Sequence, residues 1–588
     1  MASAVSQTCQ NCRQNFAIKK EDFDFYAKSK VPAPTFCPDC RIQRKMLFRN
    51  DLLLYKRQCS KCQKDIISIY SDDKPYQVYC KECWSSDKWS PMDFGHEYDF
   101  KKPFFAQLQE LSLKIPRQFL YQEDNVNSPW VNRISKSQNC YMDIGGEGNQ
   151  DTAYNYGIAG SKDCYDNYIL LKGELSYDNF FCTSVYKTFF SKFCIACTET
   201  YFSANCNNCS YLIGCVNLKN KQYHIFNKPV TPLQFEEQVR HLASRQYLGN
   251  MWRDLKAFQL ANIHRYAAIR QCEDSVGDYL VNCKNCYDCF DLIDSENCRY
   301  QYFTAFNRDC MDVFAGVRLE NCYEFMEGDS FYSAFFSRDG TNSHDVQYCH
   351  EMKNCHNCFG CFMLKDKSYC IFNKQYSKED YFKLRDKIIA QMDYLPYHDP
   401  TGPIYKYGEF FPPMMSPFGY NETHAGEYFP LTQEEAEVKG YKWHEPKSRD
   451  GVKPTIFSHD IADDIQQIRD NIVNQVIACE HEGKCQENCT IVYKIIPGEL
   501  EFCRKMKIPL PRMCLNCRHA RRMKQRQPLK LWSRQCHCLG TKSGQGNYSN
   551  IASHSHDTRP CSNTFLTTYS PDSVEIVYCE PCYQSEMV

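Results

Sequence analysis

Cysteine is the residue through which this chain can do most chemistry. It holds 39 of the 588 positions, and near the N-terminus it falls as four Cys-x-x-Cys pairs: Cys9/Cys12, Cys37/Cys40, Cys59/Cys62 and Cys80/Cys83. Such a turn sets two thiolates on one side of a tight knuckle, and two knuckles supply the four soft ligands of a closed, tetrahedral zinc site. Sequential pairing makes one site from the first four cysteines and one from the second four; an interleaved pairing would use the same eight. Near the C-terminus Cys514/Cys517 and Cys579/Cys582 keep the form, but Cys485 and Cys489 are four apart, with Cys479 competing. The last knuckle is split between Cys536 and Cys561, with Cys538 beside the break and His554 and His556 in the insertion. These cysteines are expected to hold about four structural Zn²⁺ ions. Which of Cys479 or Cys485, and of Cys538 or Cys561, is a ligand stays open, and the two histidines are assigned to a solvated loop.

The cysteine spacing is duplicated. The step of 19 from Cys40 to Cys59 recurs from Cys517 to Cys536, and the step of 25 from Cys12 to Cys37 recurs from Cys489 to Cys514. Both end modules carry basic, helix-compatible runs, in which Arg41, Arg44, Lys45, Arg49 and Arg57 coincide with Arg518, Arg521, Arg522, Arg526 and Arg534. Guanidinium groups on a metal-organised helix bind phosphate oxygens bidentately, so nucleic acid, RNA above all, is one expected partner. The plainer expectation is that these charges neutralise anionic thiolate sites.

Between the ends lies a second duplication. A shift of 146 carries Cys140, Cys164, Cys209 and Cys215 onto Cys286, Cys310, Cys355 and Cys361, and Ile225 of one IFNK onto Ile371 of the other. Within the second copy Cys286, Cys298, Cys310 and Cys322 are spaced by twelve, a series continued by Ala334, Val346, Cys358 and Cys370. The next column runs Tyr287, Arg299, Met311, Tyr323, Phe335, and in the first copy Tyr141, Ala153, Tyr165, Tyr177, Phe189. A helix does not repeat on twelve, whereas a coil of parallel strands stacks equivalent residues about 4.8 Å apart. Cysteine, small and apolar, suits its inward ladder. From Cys272 to Tyr332 thirteen acids face four basic residues, which makes this region a poor phosphate groove and a better surface for a protein partner.

The expected architecture is mainly β with some α: two parallel β-solenoid modules of 12-residue rungs flanked by zinc-ribbon or treble-clef-like modules. The boundaries are 1–95 for the N-terminal double zinc module, 96–250 and 251–395 for the solenoid copies with their terminal helices, 396–478 for an irregular connector with helices, and 479–588 for the C-terminal double zinc module. Thr231 with Pro232, Ser377 with Asp380, and Thr432 with Glu435 read as helix starts, and Asp464 to Ile477 as an amphipathic helix. Lys+Arg (70) and Asp+Glu (71) nearly cancel, and neither a long apolar run nor a secretory leader is evident. No membrane span and a cytoplasmic setting, where thiols serve as ligands, are therefore expected.

The segments FCPDCRIQRK, SIYSDDKPYQVYCKECW, ELEFCRKMKIPLPRMCLNCRHARR and TYSPDSVEIVYCEPCY, with the IFNK units, give the chain a resemblance to an uncharacterised family of cysteine-rich zinc-ribbon proteins of reduced-genome, candidate-phyla bacteria. The resemblance spans nearly the whole chain and implies zinc-binding ends, with no established activity and so no catalytic residue to carry over. The chain has no HExxH, GxSxG or Walker loop, and GGEG from Gly145 reads as a tight turn. A non-enzymatic structural-zinc protein is expected, either gripping nucleic acid by its ends across a rigid acidic solenoid, or serving as a protein scaffold with its zinc modules as solenoid caps.

Overall fold

The computed structural model describes residues 5–445, 452–542, 544, 545 and 548–587; residues 446–451 of the expected connector lie outside that description. The fold is mixed and strand-rich, and it forms two compact units that cut across the chain order. Unit 1 joins Met1–Phe119 to Ala267–Glu445, and unit 2 joins Leu120–Tyr266 to Pro446–Val588. Each unit therefore holds one end module and one middle copy, the first end with the second copy and the last end with the first.

In both units the middle copy is a stack of short parallel strands whose partners lie twelve residues apart, as in Tyr156↔Tyr168, Tyr168↔Phe180 and Phe290↔Tyr302. Unit 2 has two such sheets, one from Gln122–Glu123 to Phe180–Thr183 and one from Lys162–Tyr165 to Lys228–Pro229; unit 1 has a single long one from Ile269–Arg270 to Lys374–Gln375. A period of three runs beneath the twelve. Every third residue is left-handed, with Asp163, Asp166, Ile169, Lys172, Leu175 and Asp178 at φ between 49° and 59°. That conformation suits Asn and Asp best, which is why they recur here. The residue after each left-handed one points inward: Cys164, Leu170, Ser176, Asn179, Cys182 and Val185 are all buried.

The inward polar residues satisfy one another. Asn155, Asn167 and Asn179 form a ladder in which each Nδ2 donates to the Oδ1 above it at 2.9–3.0 Å, and Asp143 accepts from Asn155 at its start. Inward thiols donate to backbone carbonyls, as Cys194 does to Lys192 and Ser203, and burial pushes the Cys140 and Cys215 thiols up to about 11 and about 12. Gly146 of the GGEG stretch is at φ 138°, and a Cβ there would lie 1.7 Å from the Ile158 carbonyl oxygen. It allows close approach between neighbouring strands, not a turn at the end of an element.

Helices close both stacks where their capping residues stand. Thr231 caps Pro232–Arg240 and Ser377 caps Lys378–Tyr394, each accepting from the backbone N–H three residues on. Thr432 does the same for Gln433–Val438. The connector from Pro396 is irregular but packed, with Phe410, Phe411, Phe418 and Tyr420 buried. Asp464 to Ile477 is not a helix. It is two short 3-10 turns, Ile465–Gln467 and Asp470–Asn474, followed by a strand at Ile477–Ala478. Its apolar residues are all Ile and Val, whose branched side chains cost helix stability and bury here in an irregular chain.

Candidate metal centres and the basic helices

Each end module builds two sites from a hairpin or loop and a helix that opens on a cysteine. Cys37, Cys80, Cys514 and Cys579 are the N-caps of Pro38–Met46, Lys81–Trp84, Leu515–Met523 and Glu580–Glu586. In each, the backbone N–H of that capping cysteine donates to the sulfur of an earlier one: Cys37 to Cys9, Cys80 to Cys59, Cys514 to Cys479 and Cys579 to Cys536, at 3.2–3.3 Å. N–H donors favour the thiolate form that a metal requires.

Among the described residues these helices bring together four tetra-cysteine groups, one at each, with sulfurs within 4.8 Å of one another: Cys9/Cys12/Cys37/Cys40, Cys59/Cys62/Cys80/Cys83, Cys479/Cys489/Cys514/Cys517 and Cys536/Cys561/Cys579/Cys582. A tetrahedral ion about 2.3 Å from each sulfur sets sulfurs about 3.8 Å apart. The separations of Cys12–Cys37, Cys62–Cys80 and Cys561–Cys579 are 3.7, 3.7 and 3.8 Å. The N-terminal grouping is sequential, and all four groups could hold a metal ion. In the third group Cys479, not Cys485, stands where Cys9 stands in the first, as its shared N–H···S bond shows; Cys485 Sγ lies 3.6 Å from Cys517 Sγ as a fifth sulfur. In the fourth, Cys561 completes the split knuckle and Cys538 lies in an adjoining group with His554, His556 and Cys582. A solvated-loop assignment for the two histidines is thereby corrected: His554 is buried and both face cysteine sulfurs.

The basic residues chosen for nucleic acid are mostly internal. In unit 1 the buried Arg41 pairs with Asp312 at 2.9 Å, Arg44 with Glu324 at 2.8 Å and Glu409 at 3.1 Å, and the buried Lys45 with Asp312 at 3.8 Å. Arg49 lies against Asp51 and Glu327, and Arg57 donates to the Ser71 and Tyr76 carbonyls. In unit 2 Arg518 pairs with Asp166 and, at 2.8 Å, with Glu499. Arg522 bridges Asp166 and Asp178 at 3.0 and 3.3 Å. The half-exposed Arg521 also holds Asp178. Arg526 reaches Tyr168 Oη, and Arg534 is fixed by Ser570, Ser573 and His537. Burial pushes Lys45 down to about 8 against the pull of Asp312 and Glu324, and raises Glu499 to about 7 despite Arg518.

The two sets of pairs are one design used twice. Asp166 and Asp178 map onto Asp312 and Glu324 under the 146-residue repeat, as Arg518 and Arg522 map onto Arg41 and Lys45. Arg41 stacks over Tyr300 and Arg518 over the equivalent Tyr154. Tyr177 packs on Phe502 as Tyr323 packs on Phe25. Further along the column of Asp166 and Asp178, Phe190 and Phe202 meet Trp252, and in the column of Asp312 and Glu324, Phe336 and Tyr348 lie beside Phe104 or one another. The end module thus lies along the flank of its stack, across successive twelve-residue repeats. The helices are shorter than the basic runs: Pro38–Met46 gives way to a strand at Tyr55–Gln58, and Leu515–Met523 to one at Trp532–Gln535. This flank column, Tyr154, Asp166, Asp178, Phe190, Phe202 against Tyr300, Asp312, Glu324, Phe336, Tyr348, is what reading single columns missed; aligning every twelfth residue between the copies exposes it.

No family model and no curated protein matches the chain. Among solved structures, one from Desulfovibrio desulfuricans G20 described as an acetyltransferase is aligned over 45% of this chain and 71% of its own, at 10% identity and a TM-score of 0.10, a likeness that gives no support to an enzymatic reading. Among the described residues no helix is long and apolar enough to cross a membrane.

Proposed function

We propose that the protein is a non-enzymatic structural-zinc scaffold, in which each β-solenoid of 12-residue rungs is clamped along one flank by a zinc-held end module, and the second copy, the acidic one, offers its remaining faces to a protein partner. One observation carries this: the arginines best suited to phosphate are buried against the acids of the stack's own flank. A guanidinium that is buried and already neutralised by carboxylates is out of reach of a backbone phosphate. Zinc is the ion because four thiolates in a closed tetrahedron suit it and leave no open position for catalysis. A reducing cytoplasm keeps such thiolates available, and the same reading places the chain with the zinc-ribbon proteins of reduced-genome bacteria.

Left-handed residues at every third position give each rung short sides with corners, which supports the solenoid. On the second copy Tyr332 is exposed, and the exposed Phe306 lines a cleft of about 470 Å³ in which Asp294, Glu296 and Glu320 stand among Lys284, Arg308 and Arg318. Purification of the tagged chain from its native cells, with and without nuclease, tests the reading. Protein partners that survive nuclease are expected. Partners lost entirely with nuclease, together with RNA affinity that falls steeply with salt, would contradict it.

A further inference from the structure

The insertion that splits the last knuckle brings two histidines and a fifth cysteine to the edge of the fourth tetra-cysteine group. Cys538, His554, His556 and Cys582 offer ligand atoms all within 4.8 Å of one another, and Cys582 belongs equally to the group of Cys536, Cys561 and Cys579. His554 Nδ1 lies 3.6 Å from Cys538 Sγ, and His556 Nε2 lies 3.3 Å from Cys582 Sγ. A tetrahedral ion with ligands about 2.0–2.3 Å away requires edges of this size.

The surroundings fix which ring nitrogens face the sulfurs. His554 Nε2 is 2.8 Å from Glu586 Oε1, so its proton sits there and Nδ1 is left with a lone pair towards Cys538. Glu586 is itself immobilised, accepting from Tyr548 Oη and from the backbone N–H groups of Ile551 and Ala552. His556 Nδ1 lies 2.6 Å from the Arg559 carbonyl and donates to it, leaving Nε2 free to face Cys582. Asn550 donates to Cys538 Sγ at 3.3 Å while anchored on the Gly540 carbonyl. Carboxylate and carbonyl partners behind histidines, and an N–H on the thiolate, are what orient and tune metal ligands.

We infer that the C-terminal module binds a fifth divalent, zinc-like ion through Cys538, His554, His556 and Cys582, with the Cys582 thiolate bridging it to the ion of the fourth tetra-cysteine site. Seven side chains are what two tetrahedra sharing one corner need, and the second lone pair of a thiolate supplies that corner. The N-terminal module has no counterpart, because its Cys59/Cys62 knuckle carries no insertion. The inference rests on the structural-zinc reading only for the neighbouring four-cysteine site.

Native mass spectrometry of the intact, zinc-loaded chain decides it. Five bound ions are expected, falling to four in the His554→Ala/His556→Ala variant. Four ions in the parent, or five in the variant, overturns the inference and leaves the scaffold reading standing; no bound ion in the parent overturns both. Should the variant fail to fold, ¹¹³Cd NMR of the parent serves: two cadmium resonances split by each other through the shared sulfur are expected, and five unsplit resonances would refute the bridge.

Discussion

Arg44 shows how a residue's surroundings redirect its chemistry. By type and spacing it is a phosphate ligand; in the fold its guanidinium lies between Glu324 and Glu409 and over the Phe36 ring. Sequence alone offers both fates, because an arginine on a metal-organised helix has the same spacing whether it faces solvent or a neighbouring flank. What decides is the acid column of the stack, visible only once Asp312 and Glu324 are aligned with Asp166 and Asp178. Removing one partner of a buried pair leaves an uncompensated charge, so Arg44→Met should cost unit 1 about 3–5 kcal/mol in chemical denaturation. The exposed Arg318, paired with Asp329, is the comparison: Arg318→Met should change stability by less than about 1 kcal/mol. Equal effects at the two positions would mean that the buried pairs do not hold the module in place.

Among elements, the stack was the most legible, since cysteines at spacing twelve name both the strand direction and the inward face. The finer period of three was hidden because its inward positions vary among Cys, Ser, Asn, Leu and Val, alike in burial but not in size or hydropathy. Asp464 to Ile477 misled for the opposite reason: an apolar periodicity near that of a helix came from buried Ile and Val in consecutive 3-10 turns. The Asn ladder carries its own pH dependence. Burial raises Asp143, which accepts from Thr152 and Asn155, to about 6. Between about pH 4 and 6 the folded unit keeps a proton that the unfolded chain has released, so stability contributed here falls as pH rises through that window and stays lowered above it. Asp143→Asn extends the amide ladder without the charge. It should stabilise unit 2 by about 2–3 kcal/mol at pH 7.5, with the gain shrinking towards pH 5, as read by denaturant unfolding at the two pH values. A gain independent of pH would place its cause elsewhere.

Across the whole molecule, the order end, middle, middle, end was readable from cysteine arithmetic, and so were most metal-ligand candidates. The pairing of each end with the distant copy was not, because spacing along the chain says nothing about which of two similar flanks a module meets. The cysteine groups and the stack share two helices: those that start on Cys37 and Cys514 carry Arg41, Arg44, Arg518 and Arg522. Hydrogen–deuterium exchange of the full chain before and after treatment with a metal chelator tests that link most directly. Chelation should deprotect Pro38–Met46 and Leu515–Met523 together with the rungs around Asp312, Glu324, Asp166 and Asp178. Rungs whose protection is unchanged while the cysteine knuckles open would contradict the account.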